Sequence, residues 1–193
     1  MSVGFDHIDI AACRERGIKL SYTPDVLTEA TAELTIALLL ATSRRLFEAQ
    51  RTVIEGNWKE WEPLWMCGQC VQNSVVGIVG LGRIDVEVNG TLTDFHILLK
   101  ESDFVIVCAS SNKENENLFN RDAFVLMKPN CILINTSRGA LVNQQDLYVA
   151  LKSRQIKAAG LDVCVPEPLP TDHQLLQLPN CGEHILLYMG FQH

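Results

Sequence analysis

Ten residues at positions 75–84, VVGIVGLGRI, constrain this chain more than any other stretch. An apolar, β-branched run that passes at once into Gly80, Leu81 and Gly82 is how a buried parallel strand enters a tight turn. The second glycine of such a turn lets the backbone approach a pyrophosphate at the start of the next helix. The spacing G-x-G-x-x-G puts a third glycine at position 85, where this chain has Asp85. A carboxylate there opposes a cofactor's own negative charge and obstructs close helix packing. The fingerprint is present in an interrupted form, and Gly80 and Gly82 alone would mark only a turn.

Such a fingerprint is ordinarily followed by a helix, a second strand and, about 20 residues on, a charged residue that meets the ribose. Here residues 85–94 lead directly into a short helical piece at 95–100 and a strand at 104–108. Too few residues lie between Asp85 and Phe104 for the usual crossover helix, its strand and the next helix, since a βαβ unit takes about 30. An internal deletion near 85–92 is therefore expected. From residue 102 onward strand and helix alternate regularly. A strand at 104–108 precedes a helix capped by Asn120 and ending at Met127. A strand at 131–135 precedes a helix capped by Asn143 and running through Lys152, with Leu147, Ala150 and Leu151 on one buried face. A strand at 158–163 comes next. The pattern is α/β: a doubly wound parallel sheet, a Rossmann-like dinucleotide-binding domain that is incomplete.

Ahead of the fingerprint, residues 2–9 read as a loop leaving a strand that has not been supplied. Residues 10–16 suit a short helix closed by Gly17, and 18–22 a strand ended by the turn Thr23-Pro24-Asp25. From Thr28 as N-cap to Phe47 apolar residues crowd almost every face, which describes a helix that is buried or forms a subunit interface. A second helix runs on to Glu55 and stops at Gly56. Trp58, Trp61 and Trp65 then fall in an irregular segment that either packs on its own domain or lines an interface or pocket. Residues 182–193 carry no signal that continues the fold. The expected organisation is a substrate-domain remnant at 1–24, a dinucleotide-binding domain at 25–181 and a divergent tail at 182–193.

A formal charge of −7 with no cluster of Lys and Arg excludes a nucleic-acid or anionic-membrane surface. The longest apolar stretch, 34–41, is far short of the roughly 20 residues of a membrane helix. No secretory signal is visible after Met1, so a cytoplasmic, reducing setting is expected. Of seven cysteines, Cys108, Cys131 and Cys164 sit in apolar runs, where a thiol behaves as a small hydrophobe. Cys67 and Cys70 form a C-x-x-C without the second pair a zinc site needs, so no metal is expected.

Four pieces carry a resemblance: Ser2-Val3-Gly4-Phe5-Asp6-His7, Gly80-Leu81-Gly82-Arg83-Ile84, Asn135-Thr136-Ser137-Arg138-Gly139, and Gly160-Leu161-Asp162-Val163 with Glu167-Pro168-Leu169-Pro170. In order and spacing the chain resembles the D-isomer-specific 2-hydroxyacid dehydrogenases from Ser2 to about Cys181. The resemblance implies a reductase that moves hydride from NADPH or NADH to the keto carbon of a small 2-oxo acid, glyoxylate or hydroxypyruvate. It implies that Val3 and Gly4 offer backbone amides to the substrate carboxylate, and that Gly80, Gly82, Arg83 and Ile84 lie against the pyrophosphate. Ser110, Thr136 and Asp162 would line the adenine and nicotinamide side of the cleft, Asp162 also facing the substrate. Arg138 would pair with the substrate, its planar fork holding a 2-oxo carboxylate in two places. Glu167 would hold and charge a catalytic histidine. Trp61 would reach into the partner subunit's site in a homodimer. Without that context Arg138 is a surface or capping group and Glu167 a turn residue.

The family places its general acid in a P-H-I-G-S type segment shortly after an Asn-Cys pair, here Asn180-Cys181. This chain continues instead with Gly182-Glu183-His184-Ile185, with no strand signal to aim the ring. His173 reads as a helix-start residue and His7 as part of the substrate loop's scaffold. Two readings stand: a reductase with impaired turnover, and a non-catalytic nucleotide-binding or dimerisation remnant.

Overall fold

Short apolar runs rich in Val, Ile and Ala build a five-stranded sheet in which every pairing is parallel. In the computed structural model, which describes residues 8–21, 28–80 and 90–183, these strands are β1 (Val76–Val79), β2 (Phe104–Val107), β3 (Ile132–Asn135), β4 (Ala158–Leu161) and β5 (Cys181–Glu183). They lie side by side in sequence order. Val76, Phe104, Ile132 and Ala158 stand in one row of the register. Six α-helices accompany them among the described residues: α1 (Ile10–Glu15), α2 (Thr28–Ser43), α3 (Leu46–Ile54), α4 (Phe95–Glu101), α5 (Arg121–Leu126) and α6 (Gln144–Lys152).

A parallel sheet needs cover on both faces, and the strand alternation supplies two apolar surfaces. On one, Phe104, Ile106, Ile132, Ile134 and Ala158 pack with Leu38 and Leu39 of α2. On the other, Val105, Val107, Leu133, Ala159 and Leu161 pack with Leu99, Phe124, Leu147 and Leu151 of α4, α5 and α6. Gly160 allows α2 to settle on β4, because a Cβ there would lie 2.5 Å from Thr42 Oγ1 and 2.9 Å from Leu38 Cγ and Ile134 Cδ1. Helix starts are fixed by side-chain caps: Asn120 accepts from the N–H groups of Asp122 and Ala123, and Asn143 from that of Asp146. Each such cap stabilises by about 1 kcal/mol.

Several expectations need correction. Residues 18–21 form no strand, since Ile18 and Leu20 are exposed and no neighbouring strand takes up their backbone. The helix begun at Thr28 ends at Ser43, and Thr28 is its first residue. Arg45 turns to φ 57 before α3 begins. α2 buries one face (Thr35, Leu38, Leu39, Thr42, Ser43) and leaves Ile36 and Leu40 exposed, so its apolar girdle is not wholly absorbed by the sheet. The fold also continues past Cys181, where no strand signal was read. Cys181–Glu183 pairs with β4 although a three-residue strand centred on Gly182 carries no period of its own.

Among the described residues α4 is the one element between β1 and β2 in sequence, and the two strands are neighbours. Among the described residues β1 is thus an edge, with Val75 and Val76 exposed. No helix among those residues is long and apolar enough to cross a membrane. The thiols of Cys131, Cys164 and Cys181 are buried, and burial pushes that of Cys131 up to about 12, as befits an inert core group.

Asp103 ties the start of β2 to its surroundings. Its carboxylate accepts from Val75 N–H at 3.0 Å, Lys128 Nζ at 3.0 Å and Asn130 Nδ2 at 3.2 Å. The Val75 N–H and the Lys128 ammonium hold its carboxyl below the usual carboxylate range. A lowered folded-state value means stabilisation that is complete above the unfolded value near pH 4 and is lost as the pH falls through the folded one. Asp103→Asn should lower stability at pH 7 by about 1–3 kcal/mol in urea denaturation. The gap to the unsubstituted chain should shrink as the pH drops below about 4, and a gap independent of pH would contradict this account.

Candidate active site

Open α/β sheets hold their ligands outside the carboxyl ends of the strands, and four of the sequence-derived positions fall there. Gly80, Thr136 and Asp162 directly follow β1, β3 and β4, and Ser110 lies in the loop after β2. Gly80 has φ +107, and a Cβ on it would lie 2.5 Å from Ala109 N and 2.6 Å from its Cα. Only glycine lets β1 turn out against the loop after β2.

Thr136 is buried, its Oγ1 2.7 Å from Thr35 Oγ1 on α2. Thr35 gives its single proton to Thr31 O at 2.7 Å, so Thr136 donates to Thr35 and keeps only acceptor capacity. It can receive an amide N–H but has no proton left for a phosphate. Asp162, half-buried, donates its N–H to Asn135 O at 2.9 Å. Ser110 is exposed, and its carbonyl accepts from Asn115 Nδ2 at 2.8 Å.

The loop after β3 is organised by Asn135, a role not recognised in the sequence. Asn135 Nδ2 donates to Arg138 O at 3.0 Å, while its Oδ1 accepts from Ser137 N–H at 3.1 Å and Ser137 Oγ at 2.9 Å. Asn followed two residues on by Ser at a strand end is the available signal for such a turn. Arg138 is half-buried and donates from Nη1 to Ser137 O at 2.8 Å. Gly139 was likewise missed as a contact residue. A Cβ there would lie 2.4 Å from Cys164 C and O, so this glycine seats the Arg138 loop on the backbone of the loop after β4.

Glu167 belongs to that second loop. Its side chain is exposed, and Oε1 accepts from Cys164 N–H at 3.0 Å. Gln144 of α6 fixes the same loop by accepting from Val165 N–H at 2.6 Å and donating to Val165 O at 2.7 Å. The two described histidines are engaged elsewhere. His96 Nδ1 lies 3.3 Å from Asp94 Oδ1, and His173 Nδ1 accepts from Leu175 N–H at 3.3 Å as the cap of a 3-10 turn at Gln174–Gln177, which fits its expected helix-start role. Trp58 and Trp65 stack on each other with centroids 6.4 Å apart, whereas Trp61 is 81% exposed. Val3, Gly4, His7, Gly82, Arg83, Ile84, Asp85 and His184 lie outside the described residues.

A parallel sheet with glycine-turned and polar loops at its carboxyl ends defines a Rossmann-like dinucleotide-binding domain. The chain matches two family models: D-isomer specific 2-hydroxyacid dehydrogenase, NAD binding domain, over residues 85–183, and D-isomer specific 2-hydroxyacid dehydrogenase, catalytic domain, over residues 1–123. It is 46% identical over 208 residues to the glyoxylate reductase/hydroxypyruvate reductase of Homo sapiens, a match taking in 94% of this chain and 63% of that protein. Among solved structures it is similar to a protein of Thermus thermophilus, with TM-score 0.85 and 42% identity over 93% of this chain and 64% of that one. A second is the NADPH-dependent glyoxylate/hydroxypyruvate reductase of Sinorhizobium meliloti in complex with NADP and malonate. There the TM-score is 0.79 and the identity 29%, over 93% and 63% of the two chains. The chain belongs to the D-isomer specific 2-hydroxyacid dehydrogenase family, whose cofactor class is NAD or NADP. It spans about 63% of the length of the first curated relatives it matches.

Substituting Gly80 tests the turn at the mouth of this site. Gly80→Ala should cost about 1–3 kcal/mol of stability from backbone strain and the clash with Ala109. Urea denaturation reads it, and a neutral substitution would show that β1 does not leave the sheet as described.

Proposed function

We propose that this chain is a shortened NAD(P)H-dependent reductase of small 2-oxo acids, glyoxylate or hydroxypyruvate, with impaired turnover. The observation that carries the reading is the seating of the Arg138 loop on the Glu167 loop through Gly139 and Cys164, at the carboxyl ends of β3 and β4. The bound NADPH or NADH supplies the hydride. Arg138 holds the substrate carboxylate and polarises the keto oxygen, because a guanidinium fork meets two oxygens in one plane. Thr136 fits the carboxamide side of the cofactor as an acceptor, and Asp162 lies on the next strand end.

Impairment follows from two features. On this reading the alkoxide's proton does not come from a described histidine, since His96 Nδ1 lies against Asp94 and His173 Nδ1 caps the 3-10 turn. A dinucleotide is held across the place where strand order reverses, with one half of the sheet on either side. Here the order among the described residues runs one way, from the β1 edge to β5, so the support for one half of the cofactor is reduced. The human relative aligns over 208 residues with a chain of 193, which supports an internal deletion, and the spacing between Gly80 and β2 would put it near 85–92. On this reading residues 1–24 belong to the substrate domain and 25–181 to the dinucleotide domain, with β5 carrying its sheet to Glu183.

A homodimer fits the apolar residues that α2 and the tryptophan loop leave exposed, Ile36, Leu40 and Trp61, with Trp61 directed to the partner's site. Thiols packed as core groups, such as that of Cys131, suit a reducing, cytoplasmic setting. The second reading, a non-catalytic nucleotide-binding or dimerisation remnant, is favoured by the one-way strand order and by the Glu167 carboxylate closing its own turn on Cys164.

NADPH oxidation with saturating hydroxypyruvate separates the two. Reduction should run at least about 100-fold slower than in an intact family member, the worth of a missing general acid, and Arg138→Ala should abolish it. Full family rates would contradict the impairment, and turnover insensitive to Arg138→Ala would contradict the site. Loss of turnover in His184→Ala would assign the acid to His184. Asp85→Gly should tighten NADPH binding in a fluorescence titration by removing a negative charge beside the pyrophosphate; unchanged affinity would place the cofactor away from Asp85.

A further inference from the structure

A cavity of about 210 Å³ opens at the amino-terminal ends of β3, β4 and β5, at the opposite end of the strands from the candidate active site. Ile132 and Ala158, which begin β3 and β4, stand in its wall together with Asn180, just ahead of β5. It is smaller than the roughly 300–1,000 Å³ of pockets for drug-sized ligands, so its occupant is small.

Three cations line it, Arg45, Arg154 and Lys157, with a single carboxylate, Glu48. Both Glu48 oxygens are engaged by Arg45, Oε2 by Nε at 2.8 Å and Oε1 by Nη2 at 2.7 Å. Glu48 therefore balances Arg45 alone. Lys157 Nζ donates to neutral Gln69 Oε1 at 3.1 Å, and among the described residues no carboxylate pairs with it or with Arg154. Burial, and then the nearby Arg45 charge, lower the Lys157 pKa, as expected for a cation lacking a counter-charge.

Thr42 supplies the second, independent observation. It is 5% exposed and in the cavity wall, yet its hydroxyl has no hydrogen-bond partner. A buried hydroxyl left so calls for a missing partner. The hydroxyl lies beside Gly182, itself a wall residue, whose added Cβ would come 3.2 Å from it. Arg45 and Arg154 moreover keep left-handed backbone, φ 57 and 59, just beyond helices where glycine or asparagine is the common choice.

We propose that this cavity binds the phosphate group of a small anion, held by Arg154, Lys157 and the Thr42 hydroxyl, independently of the dinucleotide cleft. Two uncompensated cations and an unused hydroxyl donor match a phosphate's several acceptor oxygens.

The test is thermal denaturation of the full chain titrated with inorganic phosphate, at ionic strength held constant with sodium chloride. A saturable rise in Tm is expected with phosphate and none with chloride alone. Arg154→Asn with Lys157→Gln should weaken phosphate at least 10-fold, Thr42→Val should weaken it several-fold, and Arg138→Ala should leave it unchanged. Arg154 is exposed and asparagine tolerates its backbone, so Arg154→Asn alone should fold and already weaken binding. No saturable shift would overturn the proposal. So would an equal response in Arg154→Asn, or a response lost in Arg138→Ala, which would put the phosphate in the cofactor cleft.

Discussion

The structure depends on the double burial of β2, β3 and β4. A parallel strand has no face to spare for water, and Phe104, Ile106, Ile132 and Ile134 meet α2 while Val105, Val107 and Leu133 meet the helices of the opposite side. The cover on the first face comes from a helix far upstream in sequence, drawn close by the missing side chain of Gly160. The loops after β3 and β4 inherit this rigidity at their roots. Asn135, Gly139 and Gln144 then carry it outward to Arg138 and Glu167.

The same sheet bears on the proposed function. Among the described residues its strands are added in one direction from β1, while two-sided dinucleotide binding draws on both sides of that strand. The part of the cleft nearest Thr136, Arg138 and Asp162 rests on the best-packed strands, and the part beyond β1 has no described strand beneath it. The family's chemistry needs both a held cofactor and a positioned acid. On the proposed reading, Arg138 stands on a firm loop while the acid and the support beyond β1 are the weakened parts.

Much of this was legible because the local signals agreed with one another. Asn120 and Asn143 mark their helices as caps, and Leu147, Ala150 and Leu151 give the buried face of α6. The crowded apolar residues of α2 did not say which face meets the sheet; Thr35 and Thr42 are inside while Ile36 and Leu40 are exposed. β5 was invisible because its order comes from pairing with β4 rather than from its residues. At the site, residue types announced Arg138 and Glu167. The contacts that unite their loops are a backbone approach at Gly139 and the Cys164 N–H held by Glu167, which no spacing rule encodes. The cavity at the other end of the sheet draws on α2, α3 and the segments ahead of β4 and β5, distant stretches that only the fold assembles.

Among the described residues the sheet is one-sided, with a firm β2–β4 core and an open β1 edge. Native-state amide hydrogen exchange tests it most directly, because protection reports local opening strand by strand. The account predicts amides of β2, β3 and β4 exchanging only with global unfolding, while alternate amides of β1, those turned away from β2, exchange far faster. Uniform protection of all β1 amides at the level of β3 would show that another strand covers that edge, and would contradict the claim.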